Sequence, residues 1–473
     1  MKKVLFIVPH EDDEVFVGGP MIMNLTKDPN YDVFVFIATN GDYYPFENGI
    51  RIKESLNALN MMGVKGDHII FGGYGDCWRG AHIYNSPADE AKTSQGGFKE
   101  TYVENPGYED WHYKKFGTHA IYTRRHYLQD VQSLVEDIKP DVILAVDMDT
   151  HRDHRCLSLL LDEALCNILR KKTDYCPLLL KKYAYQGVLG GKGDFFHYPN
   201  RPTVGADEVP SNPFFPWGDR IRYMVPDSCN TFFIRSSKLY KVIREYHSQE
   251  MWVSAAGFIN ADIIYWQRHT NNLALTASIT ATSGNPSYLN DFKLIDTEDV
   301  VPTKCNYKVK CWRPDEADSD KNIQMDFGEE VRTGTIIIYF NNLHRGIHGK
   351  ARIEVLSSDG AKTFEKELPI PDDEFSIVPI DTGDTAGKEI CLDLSSCSDY
   401  IGIGEIEVIP VNQEIPFREF LLNEQPERKG NIILEALKIL DHVTFKIQTK
   451  CYWKFPDSYR KRRLEFDKEN SIQ

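Results

Sequence analysis

The strongest constraint on the fold of this chain is the alternation, over its first 290 residues, of short apolar runs with longer segments of helical spacing. Val4–Val8, Val33–Thr39 and Val142–Val146 are almost entirely apolar. Each is followed by a segment in which apolar residues recur every three or four positions, as at 15–25 and 51–62. Strands that are apolar throughout are buried on both faces, as they are in parallel sheets. The alternation therefore predicts a Rossmann-like, doubly wound α/β domain with a parallel sheet between two layers of helices.

Two long segments interrupt this alternation. Residues 77–119 and 187–228 are rich in glycine, proline, tyrosine, tryptophan and histidine, and they show no periodicity. Segments of this kind inside a compact domain usually form binding loops or lids, so we expect them to border a site. The alternative is a pair of surface insertions without a function. After them, Thr231–Arg235 is expected to add a further strand, followed by a helix.

Beyond residue 290 the pattern changes to short segments in which polar and apolar residues alternate. Turn residues separate these segments, which is typical of an antiparallel β-sandwich. The four clearest predicted strands are 335–340, 351–357, 389–394 and 403–409. A chain of 473 residues is too long for one ordinary core. We therefore expect an α/β domain at 1–290, a jelly-roll-like sandwich at 300–411 and a helical tail at 412–473.

Charge and cysteine usage limit the functions open to the chain. The net charge of −15, from 55 basic and 70 acidic residues, argues against a nucleic-acid-binding protein. The ten cysteines include no CxxC pair, which favours reduced thiols in the cytoplasm. In an exported protein, Cys305 could instead pair with Cys311, and Cys391 with Cys397. No apolar run reaches the roughly 18–20 residues that span a bilayer.

The C-terminal tail combines basic and aromatic residues. Between positions 446 and 463 it carries seven basic residues and a single acid. This mixture suits the surface of an anionic membrane, so we expect a peripheral membrane contact. The alternative is a solvated terminal helix with a few packed aromatic residues. The basic residues are Lys446, Lys450, Lys454, Arg460, Lys461, Arg462 and Arg463.

Two clusters of polar residues follow predicted strands, where an open α/β sheet binds its ligands. His10–Glu14 comes after the first strand and contains one histidine and four consecutive acids. Asp149–Arg155 comes after Val142–Val146 and contains two histidines and two aspartates. Each cluster by itself has a structural explanation, because acids and polar residues are common where a helix begins. Two clusters at matched positions, however, are expected to converge in space.

The residue types in these clusters suit a hydrolytic metal site. Two histidines and one aspartate supply the three ligands of a catalytic zinc with an open fourth position, where the pKa of water falls from about 15.7 to about 7. Asp12, next to the ligand Asp13, would accept a proton as general base. His151, oriented by Asp153, would stabilise an oxyanion or protonate a leaving amine. These groups suffice for the hydrolysis of an amide.

The same motifs resemble those of a known family. The stretches PHEDDE (9–14), TNGD (39–42), RIKES (51–55) and HRDH (151–154) are similar to those of the PIG-L/LmbE-like N-acetylglucosaminyl deacetylases. The resemblance extends over roughly residues 1–290. It implies removal of an acetyl group from an N-acetylated amino sugar, which is lipid-linked for some members.

The resemblance also implies roles for individual residues. Three side chains would bind Zn²⁺, namely His10, Asp13 and His154. Asp12 would be the base and His151 its charge-stabilising partner, while Arg51 and Asp76 would contact the sugar. Two other functions stay open: a catalytically inactive glycan-binding protein, and a zinc hydrolase of another small N-acyl conjugate.

The region from 300 to 411 resembles the galactose-binding-like sandwich of discoidin and coagulation-factor type C modules. The matching stretches are 312–314, 325–328, 338–339 and 404–408. The resemblance implies either sugar binding through loops at one end of the sandwich or a structural role.

Overall fold

The computed structural model describes residues 1–470 apart from 48, 150, 172–173, 185–219, 227–228, 230–232, 258, 260–261, 298–308, 399, 412–420 and 423–431. In chain order its strands are β1 (Lys2–Val8), β2 (Tyr31–Thr39), β3 (Ile69–Tyr74), β4 (Val142–Val146), β5 (Leu178–Lys182), β6 (Ile221–Met224), β7 (Asp262–Arg268), β8 (Ser278–Ala281), β9 (Asp296–Thr297), β10 (Val309–Lys310), β11 (Asn322–Asn341), β12 (Lys350–Leu356), β13 (Lys362–Pro369), β14 (Phe375–Asp393), β15 (Ile403–Ile409) and β16 (Leu421–Leu422). Its α-helices are α1 (Asp13–Leu25), α2 (Ile50–Met62), α3 (Trp111–Phe116), α4 (Arg124–Ile138), α5 (Arg152–Leu169), α6 (Lys238–Ile243), α7 (Ile432–Lys454) and α8 (Ser458–Asn470).

An eight-stranded sheet forms the centre of the first domain, in the order β16-β6-β7-β5-β4-β1-β2-β3. Strands β1 to β5 are parallel, which confirms the predicted α/β fold. The other three strands extend the sheet in antiparallel fashion. The predicted strand at Thr231–Arg235 is wrong in its described part, because Ile234–Ser236 is a turn of 3₁₀ helix; residues 231 and 232 lie outside the described chain.

The parallel strands match their predicted positions because nearly every side chain in them is buried. All five residues of β4 are buried, as are five of the seven residues of β1. Helix α2 is followed by Gly63, whose φ of 91° allows the chain to leave the helix in the left-handed conformation. The carboxyl ends of β1 and β4 are adjacent, since Ile7 pairs with Ala145.

The second unit is an antiparallel β-sandwich, as predicted. Its strands are ordered β13-β12-β14-β11-β15, and β8 also pairs with β11. It has a separate hydrophobic core, which includes Trp312, Ile338 and Val408. Strand β8 precedes residue 290, where the sequence changes character, so a segment assigned to the first domain contributes to the second sheet. The division of the chain at 290 stays a prediction.

The C-terminal helices pack against the first domain. Phe445 of α7 is fully buried, Arg460 of α8 donates to Glu250 at 2.9 Å, and Arg463 forms two hydrogen bonds with Glu47. Two of the seven basic tail residues are thus engaged in intramolecular ion pairs. None of the helices in the described part of the chain has the length and hydrophobicity of a membrane-spanning segment.

The cysteines of the described residues are free thiols. Cys391 and Cys397, which could have formed a disulfide in an exported protein, are therefore not bonded to each other. Cys305 lies outside the described residues, while Cys311 is a buried thiol.

Candidate metal centre

The two polar clusters meet because β1 and β4 are neighbours in the sheet. His10 lies in the turn between β1 and α1, and Asp13 is the first residue of α1. His154 lies in the first turn of α5, which follows β4. The three side chains are buried, with exposures of 5%, 1% and 0% for His10, Asp13 and His154. The sheet order therefore brings together residues that are more than 140 positions apart in the sequence.

Three potential ligand atoms converge at the centre of this site. Nδ1 of His10 lies 3.1 Å from Oδ2 of Asp13 and 3.2 Å from Nε2 of His154. Nε2 of His154 lies 3.2 Å from the same oxygen of Asp13. Zinc–ligand bonds of about 2.0–2.2 Å in a tetrahedron place neighbouring ligand atoms about 3.3 Å apart. The spacing of the three atoms thus fits a zinc ion with three protein ligands.

The opposite ring nitrogens of both histidines face carboxylates. Nδ1 of His154 is 2.7 Å from Oδ2 of Asp149, while Nε2 of His10 is 3.4 Å from oxygens of both Asp76 and Asp153. These contacts assign the ring protons to the outward nitrogens. When the histidines are neutral, the inward nitrogens present lone pairs to each other and to Asp13, an arrangement that suits a metal ion between the three atoms.

The pKa values of these residues are shifted by one another and by the carboxylates around them. Burial would lower the pKa of His154, but the carboxylates of Asp13 and Asp149 outweigh it and raise the pKa to about 10. The pKa of His10 is raised despite its burial, chiefly by Asp76. That of Asp13 is lowered, against the effect of burial, by His154 and His10. The buried acids therefore favour positive charge at this position.

Asp12, which immediately precedes the ligand residue Asp13, has a strained backbone conformation. Its φ of 111° is unusual for a residue other than glycine, and its N–H donates to Glu14 at 3.1 Å. Burial, reinforced by the neighbouring Asp13, raises the pKa of Asp12 to about 8. A carboxyl group with a pKa in this range is suited to accept and return a proton near neutral pH.

His151 lies beside the ligand histidines and is the most accessible of the three, with 29% of its side chain exposed. Its ring centroid is 4.7 Å from that of His10 and 4.8 Å from that of His154. Burial, followed by the charge of His10, lowers the pKa of His151 to about 4. The Asp153 carboxylate, which was predicted to orient His151, is not within hydrogen-bonding distance of its ring. The closest approach is 3.9 Å, and it is the Asp153 N–H that donates to His151 Nδ1.

Arg51 and Asp76, the predicted sugar contacts, are paired with each other. Nη1 of Arg51 donates to Asp76 at 3.1 Å, and Nη2 donates to the backbone oxygen of Glu11 at 3.2 Å. Both side chains are largely buried. Gly41 passes so close that a Cβ at this position would lie 2.5 Å from atoms of Arg51 and Glu11. Because Asp76 contacts both Arg51 and Nε2 of His10, it lies between them. The sequence did not predict the contact with His10.

Other groups of metal-binding residue types lie at the same site. The ligand atoms of Cys77, His151 and Asp153 lie within 4.8 Å of one another, as do those of His10, His151 and His154. The set formed by His10, Asp13 and His154 is tighter, since its three atoms are separated by no more than 3.2 Å.

Residues of the inserted segment 77–119 also reach the site. His82 contacts Asp153 at 2.9 Å, and Ser94 donates to Asp42, which accepts the N–H of Asp76. Sequence reasoning missed these residues because the segment has no periodicity that would orient its side chains. Its abundance of histidine was the available signal.

Comparison with solved structures finds carbohydrate-binding modules. The chain is 18% identical to a fucose-binding module of Streptococcus pneumoniae, with a TM-score of 0.24, and the match covers 30% of this chain and 98% of the module. It is 16% identical to the family 32 module of NanJ from Clostridium perfringens, solved in complex with galactose. That TM-score is 0.21, and the match covers 28% of this chain and 92% of the module. No curated protein matches the chain.

A family profile matches the part of the chain that contains both polar clusters. The match runs from residue 5 to residue 165 and is described as PIG-L, GlcNAc-PI de-N-acetylase. It begins within β1 and ends within α5, so it includes His10, Asp13 and His154. Residues 5–165 of this chain therefore carry a domain of the PIG-L type.

Proposed function

We propose that this chain is a zinc-dependent deacetylase that hydrolyses the N-acetyl group of a GlcNAc-type amino sugar. The observation that carries the proposal is the convergence of two imidazole nitrogens and one carboxylate oxygen within 3.2 Å, inside the region that matches PIG-L. An amino-sugar substrate is supported by that family match. We place the enzyme in the cytoplasm, in keeping with its free thiols.

In this proposal His10, Asp13 and His154 hold the ion and leave a fourth position open. When bound, zinc supplies a Lewis acid and lowers the pKa of water to about 7. Asp12 accepts a proton from the attacking water while the oxygen of that water bonds to the acetyl carbon. His151 stabilises the oxyanion or donates a proton to the amine nitrogen as the C–N bond breaks. The products are acetate and the free amino sugar.

The second candidate, an inactive glycan-binding protein, gains support from one loop region of the sandwich. Tyr400 is 52% exposed, and the His344 ring lies edge-on at 5.0 Å from it. Exposed aromatic rings of this kind can stack on the apolar face of a sugar. The set of ligand residues and base in the first domain favours catalysis over binding alone. A zinc hydrolase of another small N-acyl conjugate remains the third candidate.

We also propose a peripheral membrane contact for a lipid-linked substrate. On α7, Leu440, Val443 and Ile447 are 58%, 47% and 57% exposed. At 100° per residue they lie opposite two buried residues, Thr449 and Phe445, and Phe445 belongs to the core of the first domain. The last turns carry Lys446, Lys450 and Lys454. An apolar face that ends in lysines is typical of helices that lie on anionic membranes.

Metal analysis and an activity screen test the reaction together. Wild-type protein is expected to bind one zinc ion and to release acetate from N-acetylated sugars, detected by mass spectrometry. His154→Ala is expected to lose the metal. Asp12→Asn is expected to keep it while turnover falls by roughly 10²–10⁴-fold, which is the usual contribution of general acid–base catalysis.

The exposed Asp67 provides the matched control. Asp67→Asn makes the same change of residue away from the site and is expected to leave both properties unchanged. Equal metal content in wild type and His154→Ala would contradict the ligand assignment, and near wild-type turnover of Asp12→Asn would contradict the role of base.

A further inference from the structure

A histidine of the inserted segment 77–119 contacts a carboxylate of the metal site. His82 is 6% exposed, and its Nε2 lies 2.9 Å from Oδ1 of Asp153. Its other ring nitrogen, Nδ1, accepts the backbone N–H of Tyr84 at 3.4 Å. Since Nδ1 is an acceptor, the ring proton lies on Nε2, and His82 donates its hydrogen bond to Asp153.

The second oxygen of Asp153 faces the ligand His10. Oδ2 accepts the N–H of Cys77 at 3.0 Å and lies 3.4 Å from Nε2 of His10. The carboxylate is therefore fixed on one side by His82 and on the other by Cys77. In this orientation it holds the outward N–H of His10 and leaves Nδ1 of His10 directed at Asp13 and His154.

The same insertion also supports the second carboxylate that faces His10. Ser94 donates to Oδ2 of Asp42 at 3.0 Å, and Oδ1 of Asp42 accepts the N–H of Asp76 at 2.6 Å. Oδ1 of Asp76 lies 3.4 Å from Nε2 of His10. Each carboxylate beside this ring nitrogen is thus connected to the insertion, one through His82 and the other through Ser94.

We propose that the inserted segment 77–119 is an outer support of the metal centre, and that His82 is a positioning residue that sets the orientation of His10 through Asp153. This inference rests on the proposed metal site and extends it to a segment that the sequence predicts to be a binding loop. Partners that orient metal-ligating histidines contribute roughly 10–100-fold to metal affinity. The effect of His82 is therefore expected in the affinity for zinc.

The experiment measures the dissociation constant for zinc by competition with a chromophoric chelator, and the stability of the metal-free protein by urea unfolding. His82→Ala is expected to bind zinc roughly 10–100-fold more weakly than wild type. His82→Gln places an amide N–H near the position of Nε2 and is expected to restore most of the affinity.

His112 provides a matched control. Its ring is 6% exposed and lies 2.7 Å from Asp130. His112 and Asp130 thus form a second buried histidine–aspartate pair, with His112 in the insertion and Asp130 on α4. Neither residue has a described contact with the three ligand residues. His112→Ala should destabilise the fold and leave the affinity for zinc unchanged.

The outcomes separate this inference from the proposed function. If wild type binds no zinc, the proposed function fails. If wild type binds zinc and His82→Ala binds it equally well, the inference is overturned while the function stands. Should His82→Ala not fold, Ser94→Ala tests the connection through Asp42: weaker zinc binding supports the insertion as an outer support of the metal centre, and wild-type affinity overturns that role.

Discussion

Replacing Arg463 with alanine would leave the carboxylate of Glu47 buried without its counter-charge. Nε and Nη2 of Arg463 donate to the two oxygens of Glu47 at 2.7 and 2.6 Å. The side chain of Glu47 is fully buried, and that of Arg463 is 15% exposed. This bidentate pair connects the last helix of the chain to the segment between β2 and α2, which also carries Asp42.

The expected loss follows from the burial of the pair. Removing one partner of a fully buried ion pair costs about 3–5 kcal/mol, because the other charge stays desolvated. Arg463 is partly exposed, so water can reach the space it leaves, and we expect a loss at or just below the lower limit of this range, about 2–3 kcal/mol. Urea unfolding at neutral pH, followed by circular dichroism, measures the change in the free energy of unfolding.

Lys461 offers a control on the same helix, since its side chain is exposed. Lys461→Ala is expected to change stability by no more than about 0.5 kcal/mol, as is usual for surface substitutions. If Arg463→Ala were as stable as Lys461→Ala, the pair would not hold α8 to the first domain. Deletion of the tail is therefore expected to disturb the fold, and a test of membrane binding needs point substitutions.

Three further predictions concern the site, the domain interface and the tail. Asp149→Asn should weaken zinc binding by roughly 10–100-fold, because Asp149 orients a ligand histidine; chelator competition measures this, and unchanged affinity would argue against that role. Burial raises the pKa of Glu405 and raises that of Asp291 to about 7. For Asp291, the stability gained from protonation is thus full below about pH 4 and is lost as the pH rises through about 7. Asp291→Asn should flatten the fall in unfolding free energy across that window, and an unchanged pH profile would contradict this. Neutralising three lysines of α7 should abolish sedimentation with anionic vesicles at low salt, since each contributes on the order of 1 kcal/mol, while deacetylation of a soluble sugar persists; vesicle binding equal to wild type would refute the membrane contact. The three lysines are Lys446, Lys450 and Lys454.

The parallel part of the sheet could be predicted because its strands are uniformly buried. Val142–Val146 coincides with β4, and Ile403–Ile409 coincides with β15 in the sandwich. The antiparallel extension of the first sheet could not be predicted. Strand β6 is only four residues long and lies at the end of an aperiodic segment, so its pairing depends on β7, some forty residues later.

The candidate site was predictable as far as topology determines it. The clusters at His10–Glu14 and Asp149–Arg155 converge because they follow neighbouring parallel strands. The direction of the Asp153 carboxylate was not predictable, since it depends on His82 from a segment without periodicity. The tail illustrates the same limit: its composition indicates a basic surface, but the buried partners of Arg460 and Arg463 come from distant parts of the chain.

X-ray absorption at the zinc edge, on protein loaded with one equivalent of zinc, tests the central claim most directly. Binding by His10, Asp13 and His154 predicts nitrogen and oxygen neighbours at about 2.0–2.2 Å, with the multiple-scattering signature of two imidazole rings and no sulfur. The competing group of Cys77, His151 and Asp153 would place a sulfur neighbour at about 2.3 Å. Sulfur at that distance, or no zinc retained by the protein, would contradict the assignment of the metal centre.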